Sequence, residues 1–206
     1  IAASDSVILI VFNSMLQRYG GPQQGDLYVA CATIVQSYMQ LITMPLGGIS
    51  GGTQSILSYN YGARQFGRVR DAQKKIFRLC MGFTAIMFVL ARAAGPLFVR
   101  LFTKDAQVAE ISAWAIRVCT LAAIPLGAQY EIVDGFTALG QVRLSFPLSF
   151  FRKAVYFAAL FILPACFGAR AAFYAEPVSD VLGPLASAIA YKLCIGPVLS
   201  DGHARV

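Results

Sequence analysis

Residues 44–78 read MPLGGISGGTQSILSYNYGARQFGRVRDAQKKIFR. An apolar, glycine-rich segment runs into a short basic stretch, and apolar residues resume at Ile76. Arg64, Arg68, Arg70, Lys74 and Lys75 fall within that stretch, and Arg78 lies just beyond Ile76. A long greasy segment that ends in clustered Lys and Arg before the next greasy segment is the pattern of a membrane crossing with its cytoplasmic turn.

Composition agrees. Of 206 residues 57% are hydrophobic and 13% charged, with mean hydropathy +0.63. That leaves too little polar material to clothe a soluble domain of this length. A net charge of +7 would suit nucleic acid, but the basic residues alternate along the chain rather than forming one face. Arg143, Arg152 and Lys153 mark a second rich turn, and Lys192 and Arg205 lie near the C-terminus. The turns between hold only Arg18, then Arg100 with Lys104, then Arg170. This is the positive-inside pattern, and nucleic acid is not an expected partner.

Six apolar segments follow: 2–17, 27–57, 76–101, 108–139, 144–167 and 171–195. Since about 20 apolar residues cross the hydrocarbon layer, the expected fold is an all-α integral membrane bundle of six transmembrane helices over residues 1–195. A polar tail, 196–206, is expected to follow. Alternating strand patterning is absent, and lipid demands that each span satisfy its own backbone. Ile1 is not methionine, so the first segment is expected to begin upstream. The basic turns place both termini on the cytoplasmic side of the plasma (inner) membrane.

Turn chemistry marks the boundaries. Gly20-Gly21-Pro22 should break the chain after the first segment, Asp105 can cap the fourth helix, and Gly168 can end the fifth. Pro45, Pro125, Pro147, Pro164, Pro177 and Pro184 lie in or near spans, as packing kinks or as hinges. Gly47/Gly51 and Gly48/Gly52 are small-xxx-small pairs suited to close helix approach. Cys31, Cys80, Cys119, Cys166 and Cys194 are scattered singly and read as small buried hydrophobes. With His203 the only histidine, no metal site, cofactor or catalytic triad is expected.

The polar minority inside the apolar segments carries the functional reading. Gln129-Tyr130-Glu131-Ile132-Val133-Asp134 is the richest run. Tyr130 and Asp134, four apart, share a helix face, and Glu131 borders it. Two adjacent carboxylates in low dielectric do not both ionise cheaply, so such a pair can hold a proton, exchange it for a cation, or attract a cationic substrate. The other reading puts these acids near the cytoplasmic end, solvated or capping. Asp5 and Asn13 lie in the first segment; Gln40, Gln54 and Gln129 are candidate cavity-lining groups or interhelical glue. Glu176 and Asp180, one turn apart around Pro177, read chiefly as structural polar groups. Arg117 can pair with an acid or snorkel, and Trp114 and Tyr28 suit an outer interface belt.

The sequence resembles the multidrug and toxic compound extrusion (MATE) transporters. Gly48–Gln54, Tyr59-Asn60-Tyr61-Gly62-Ala63 with Arg68-Val69, Phe136-x-Ala138-Leu139-Gly140 and Ala175–Asp180 carry the likeness. It implies one half, the C-terminal one, of a twelve-helix, two-bundle carrier, with an N-terminal six-helix bundle as partner. In some members an acid early in the first helix of that half and a Tyr-x-x-x-Asp pair in its fourth form a cation-coupling site. By resemblance Asp5 fills the first role and Tyr130 with Asp134 the second, with Glu131, Gln129, Asn13, Gln40 and Gln54 around the substrate cavity. The implied activity is H⁺- or Na⁺-coupled export of amphipathic organic cations. Two other readings stay open: a related flippase for a lipid-linked precursor, and a half-length, non-transporting membrane interaction protein. An enzyme is not expected. Tyr130, Glu131 and Asp134 can do acid–base chemistry, but nothing supplies a nucleophile or metal.

Overall fold

The structure, a computed structural model, describes residues 2–201, with side chains from Ser6 to Leu199. All regular elements among these residues are helical: α1 (Ala2–Gly52), α2 (Gln54–Gly62), α3 (Phe66–Ala93), α4 (Gly95–Arg100), α5 (Ala106–Cys119), α6 (Ala123–Ala138), α7 (Val142–Phe167) and α8 (Ala175–Asp201), with 3₁₀ turns at Thr120–Ala122 and Ala169–Tyr174. Five helical stretches are long and apolar enough to cross a membrane. The first, Ser6–Gly62, has 57 residues, about 85 Å at 1.5 Å per residue and far more than one crossing of about 30 Å needs.

Gly21 explains the surplus. Its φ of 68° and ψ of −175° interrupt α1, and that region is open almost solely to glycine. The chain reverses there: a Cβ on Gly25 would sit 3.1 Å from Gln17 Cα, whereas residues eight apart on one helix are separated by about 12 Å. The arms on either side of Gly21 therefore form a hairpin, and six crossings result. Phe12 and Leu16 of the first arm share one apolar cluster with Cys31, Val35 and Ile42 of the second.

Several boundaries differ from expectation. The third helix begins at Phe66 rather than Ile76, so the turn is only 63–65, with Arg64 left-handed at φ 57°. Arg68, Arg70, Lys74, Lys75 and Arg78 ride on the first turns of α3. The fourth span is broken into α5, a 3₁₀ turn and α6. Pro125, two residues into α6, suits that restart because its missing N–H has no helical partner there. Arg92 of α3 donates to Arg117 O at 2.7 Å and to Thr120 Oγ1 at 3.0 Å, serving a carbonyl and a hydroxyl at the broken end of α5. α8 runs past Ile195 to Asp201, with Val198 and Leu199 buried beside Leu57 and Val69. His203 lies outside the described residues.

Asp105 caps α5, accepting from the Gln107 and Val108 amides at 2.8 and 3.2 Å. Gly168, φ 83°, ends α7 with its amide on Pro164 O. Close helix contact through glycine occurs elsewhere than the paired glycines suggest. Gly48, Gly51 and Gly52 meet nothing, whereas a Cβ on Gly127 would lie 2.8 Å from Thr84 Oγ1 and one on Gly183 would lie 2.8 Å from Arg152 Cγ. Leu79, Ile86 and Val89 of α3 and Phe146, Phe150 and Phe161 of α7 are exposed, a greasy exterior fit for lipid. Tyr28 departs from the belt reading. It is buried, donates to Gln24 and accepts from Arg170, whose guanidinium also lies over the Trp114 ring.

Candidate functional site

Both arms of α1, with α6, α7 and α8, line an open cavity of about 630 Å³. Its wall carries Asp134, Tyr130 and Gln129 from α6, Gln40 from the second arm, Arg152 from α7 and Glu176 from α8. The 3.6-residue period brings Tyr130 and Asp134 to the same wall, one turn apart. Tyr130 packs its ring near Gly47; a Cβ there would lie 3.7 Å from its Cε1. Asp134 is half-buried and makes a short hydrogen bond with the Ser50 hydroxyl. Ser50 Oγ is also 3.1 Å from Leu46 O, and Gln54 reaches the same carboxylate. The segment that decides the fold thus supplies the groups that hold Asp134.

Gln129 is buried and accepts from Ser187 Oγ at 2.7 Å, so one side of its amide is committed to α8. Glu131 does not reach the cavity: it is 4% exposed and faces α3 and α8 near Gln73 and Tyr191. Two residues after Gln129 and one after Tyr130, it is rotated off that wall. Asn13 is apart from the cavity wall as well, with Oδ1 buried and unpartnered. The side chain of Asp5 lies outside the described residues.

Two groups gain a role that the sequence did not assign. Arg152, read as part of a basic turn, is inside α7 and lines the cavity. Its Nη1 meets Asp180 Oδ1 at 3.0 Å, with Asp180 fully buried and the Arg152 side chain 23% exposed. Glu176, one turn before Asp180, opens onto the cavity. Asp180, buried, ties α8 to α7 through this ion pair, which Glu176 does not share. Lys153 also reaches the cavity wall. Arg117 is exposed, with no ion pair to an acid among the described residues.

The arrangement can do ion chemistry rather than bond-making chemistry. Arg152 and Asp180 neutralise one another, which leaves Asp134 and Glu176 as carboxylates, with Lys153, at a mixed polar and apolar cavity. A carboxylate in such a place binds a proton, a metal cation or an organic ammonium, each in competition with the others.

A family model described as MatE matches residues 3–162. The multidrug export protein MepA of Staphylococcus aureus (strain MSSA476) is 22% identical over 178 residues, spanning 86% of this chain and 38% of its own. This chain therefore covers about two fifths of the length of such relatives. A MATE structure in the bent conformation superposes with a TM-score of 0.87 at 16% identity, over 98% of this chain and 44% of that one. An outward-facing multidrug resistance MATE family transporter of the MOP superfamily gives 0.85 at 17% identity, over 95% and 44%. At these identities the structural likeness speaks for the fold, an all-helical membrane bundle. The family model, matching well over half the chain, speaks for descent: the chain belongs to the MatE family of multidrug and toxic compound extrusion transporters.

Proposed function

We propose that this chain forms the C-terminal six-helix bundle of a cation-coupled antiporter that exports amphipathic organic cations. Asp134 would be its coupling carboxylate, and H⁺ or Na⁺ the driving ion. The observation that carries this reading is the setting of Asp134: on the cavity wall, one turn from Tyr130, and bonded to Ser50.

The chemistry follows from the donor inventory. Ser50 has one hydroxyl proton and two neighbours, Asp134 and Leu46 O. When Asp134 is ionised, Ser50 donates to it; when Asp134 carries a proton, Asp134 donates to Ser50 and Ser50 turns to Leu46 O. Both states are satisfied by a small hydroxyl rotation, so the site takes or gives up a cation without unravelling α1. A single carboxylate cannot neutralise a driving ion and an organic cation at once. Entry of the ion would therefore release the substrate, and differential binding in the two access states would make the exchange directional. Glu176 adds a second negative group for the substrate, while Met39, Met44 and Ile8 offer apolar contact. An N-terminal bundle would supply the other wall of the cleft, and both termini of this bundle would face the cytoplasm, as the basic first turns of α3 suggest.

The test is efflux of a fluorescent lipophilic cation from cells making the protein. Asp134→Asn should abolish ion-driven efflux at unchanged membrane abundance. Undiminished efflux would remove Asp134 from the coupling role.

A further inference from the structure

Glu131 has the wrong surroundings for an ordinary salt-bridged acid. It is 4% exposed, and its Oε1 has no hydrogen-bond partner. It lies on the flank of α6 that meets α3 and α8, away from the cavity. Gln73 of α3, only 3% exposed, stands across a gap beside Gly135. A Cβ at Gly135 would lie 3.1 Å from Gln73 Nε2 and 3.7 Å from Glu131 Oε1, so glycine keeps that gap open. Tyr191 of α8 donates to Gln73 Oε1 at 3.3 Å and fixes which face of the amide turns toward Gly135.

The charged and titratable groups around it are few. Asp134 on α6 is the charge that acts on it, and its sign is the same. Cys80 approaches from α3 and Tyr191 from α8; Arg70 of α3 acts on Tyr191. Among the described residues no Lys or Arg forms an ion pair with Glu131. An ionised carboxylate here would be buried, partly unbonded and next to a like charge, a combination that folded proteins avoid by neutralising the group. Lipid around the bundle adds no solvent, and a second bundle can only bury the residue further.

We propose that Glu131 is a proton-binding site set apart from the cavity, its carboxyl held as the neutral acid in a cage of Gln73, Tyr191 and the open flank of Gly135. The proton comes from water and no other ligand is needed. A neutral acid has both a donor and an acceptor to offer the facing amide, whereas a carboxylate has acceptors only. The site joins three helices, α3, α6 and α8, so its occupancy bears on how they pack. It is a property of the helix packing and does not depend on the transport reading.

Infrared spectroscopy of the full chain in lipid bilayers tests this directly. The protonated carboxyl gives a C=O stretch separate from that of carboxylates, and it shifts on ¹³C labelling. The chain has three glutamates, Glu110, Glu131 and Glu176, so ¹³C-glutamate labelling leaves few candidates. The expected result is a glutamate band of the neutral acid at pH 7 that disappears in Glu131→Gln and persists in Glu176→Gln and in Asp134→Asn. Should Glu131→Gln fail to fold, Gln73→Leu serves instead: it removes the facing amide, and the band should move. Absence of a neutral-acid band, its survival in Glu131→Gln, or its indifference to Gln73→Leu overturns the proposal. Efflux plays no part in the readout, so loss of the transport reading would leave this result intact.

Discussion

Arg152 on α7 and Asp180 on α8 meet through Nη1 and Oδ1 at 3.0 Å, and Asp180 has no exposed surface. Gly183, three residues past Asp180, makes the contact possible. A Cβ there would intrude to 2.8 Å from Arg152 Cγ and 3.0 Å from its Cβ. The arginine stem lies across α8 where that helix has no side chain, and its guanidinium then reaches back to the acid.

Breaking a buried pair strands one charge, which costs about 3–5 kcal/mol, whereas replacing both partners with apolar groups is often neutral. Arg152→Met and Asp180→Leu should each lower the melting temperature in detergent sharply, and the double variant should recover most of the loss. Single variants as stable as the parent would show that α7 and α8 are joined by apolar packing alone.

Glycine-to-alanine changes sort by geometry. Gly183→Ala and Gly127→Ala force a methyl against Arg152 and against Thr84 with the Cys80 carbonyl, and overpacking of this kind costs about 1–3 kcal/mol. Gly82→Ala on α3, where nothing lies within 4 Å, should instead gain about 0.5–1 kcal/mol from helix propensity. Thermal unfolding of the three variants checks the ranking; a destabilised Gly82→Ala or an indifferent Gly127→Ala would contradict the packing described.

The α1 hairpin depends on one backbone conformation. Gly21→Ala places a side chain at φ 68°, ψ −175°, with strain of about 1–3 kcal/mol. Gly20→Ala should be at least as harmful, because its Cβ would sit 2.9 Å from Gly25 backbone atoms. Proteolysis near residues 18–26 should increase in both variants; unchanged resistance would argue against the tight turn.

Orientation is testable through one thiol. Cys166 is exposed at the end of α7, two residues before Gly168, whereas Cys31, Cys80 and Cys119 are buried. With α3's basic turns inside, the end of α7 faces outward, and a membrane-impermeant maleimide should label Cys166 in intact cells. Labelling only after permeabilisation would invert the topology.

Much of this was legible because it is local. A glycine pair before proline, an aspartate ahead of an apolar run, and a glycine after one announce a hairpin, a cap and a stop; Gly21, Asp105 and Gly168 do those jobs. Tyr130 and Asp134 share a wall because helical spacing leaves them no alternative. Gln129 stands on the cavity wall, where Ser187 ties up part of its amide, and only contact across helices reveals that. Arg152 was hidden by its neighbours: beside Lys153 it reads as a turn residue, and only the helix packed against it, with Asp180 and the bare Gly183, draws it inward. Glu131 was misplaced for a similar reason. Its proximity to Asp134 along the chain suggested a common face, but the rotation of 100° per residue carries it toward Gln73 and Tyr191. The break at Thr120–Ala122 was equally silent, since the apolar run continues through it and Arg92, which serves the broken end, is distant in sequence.

If cations compete for the Asp134 carboxylate, loss of its charge must weaken cation binding. Equilibrium binding of tetraphenylphosphonium to the protein in lipid nanodiscs, with and without Asp134→Asn, measures it most directly. At least a tenfold loss of affinity is expected in the variant, about 1.4 kcal/mol, and a smaller loss for Ser50→Ala, which removes only the hydroxyl that bonds the acid. Equal affinity in Asp134→Asn and the parent would contradict it.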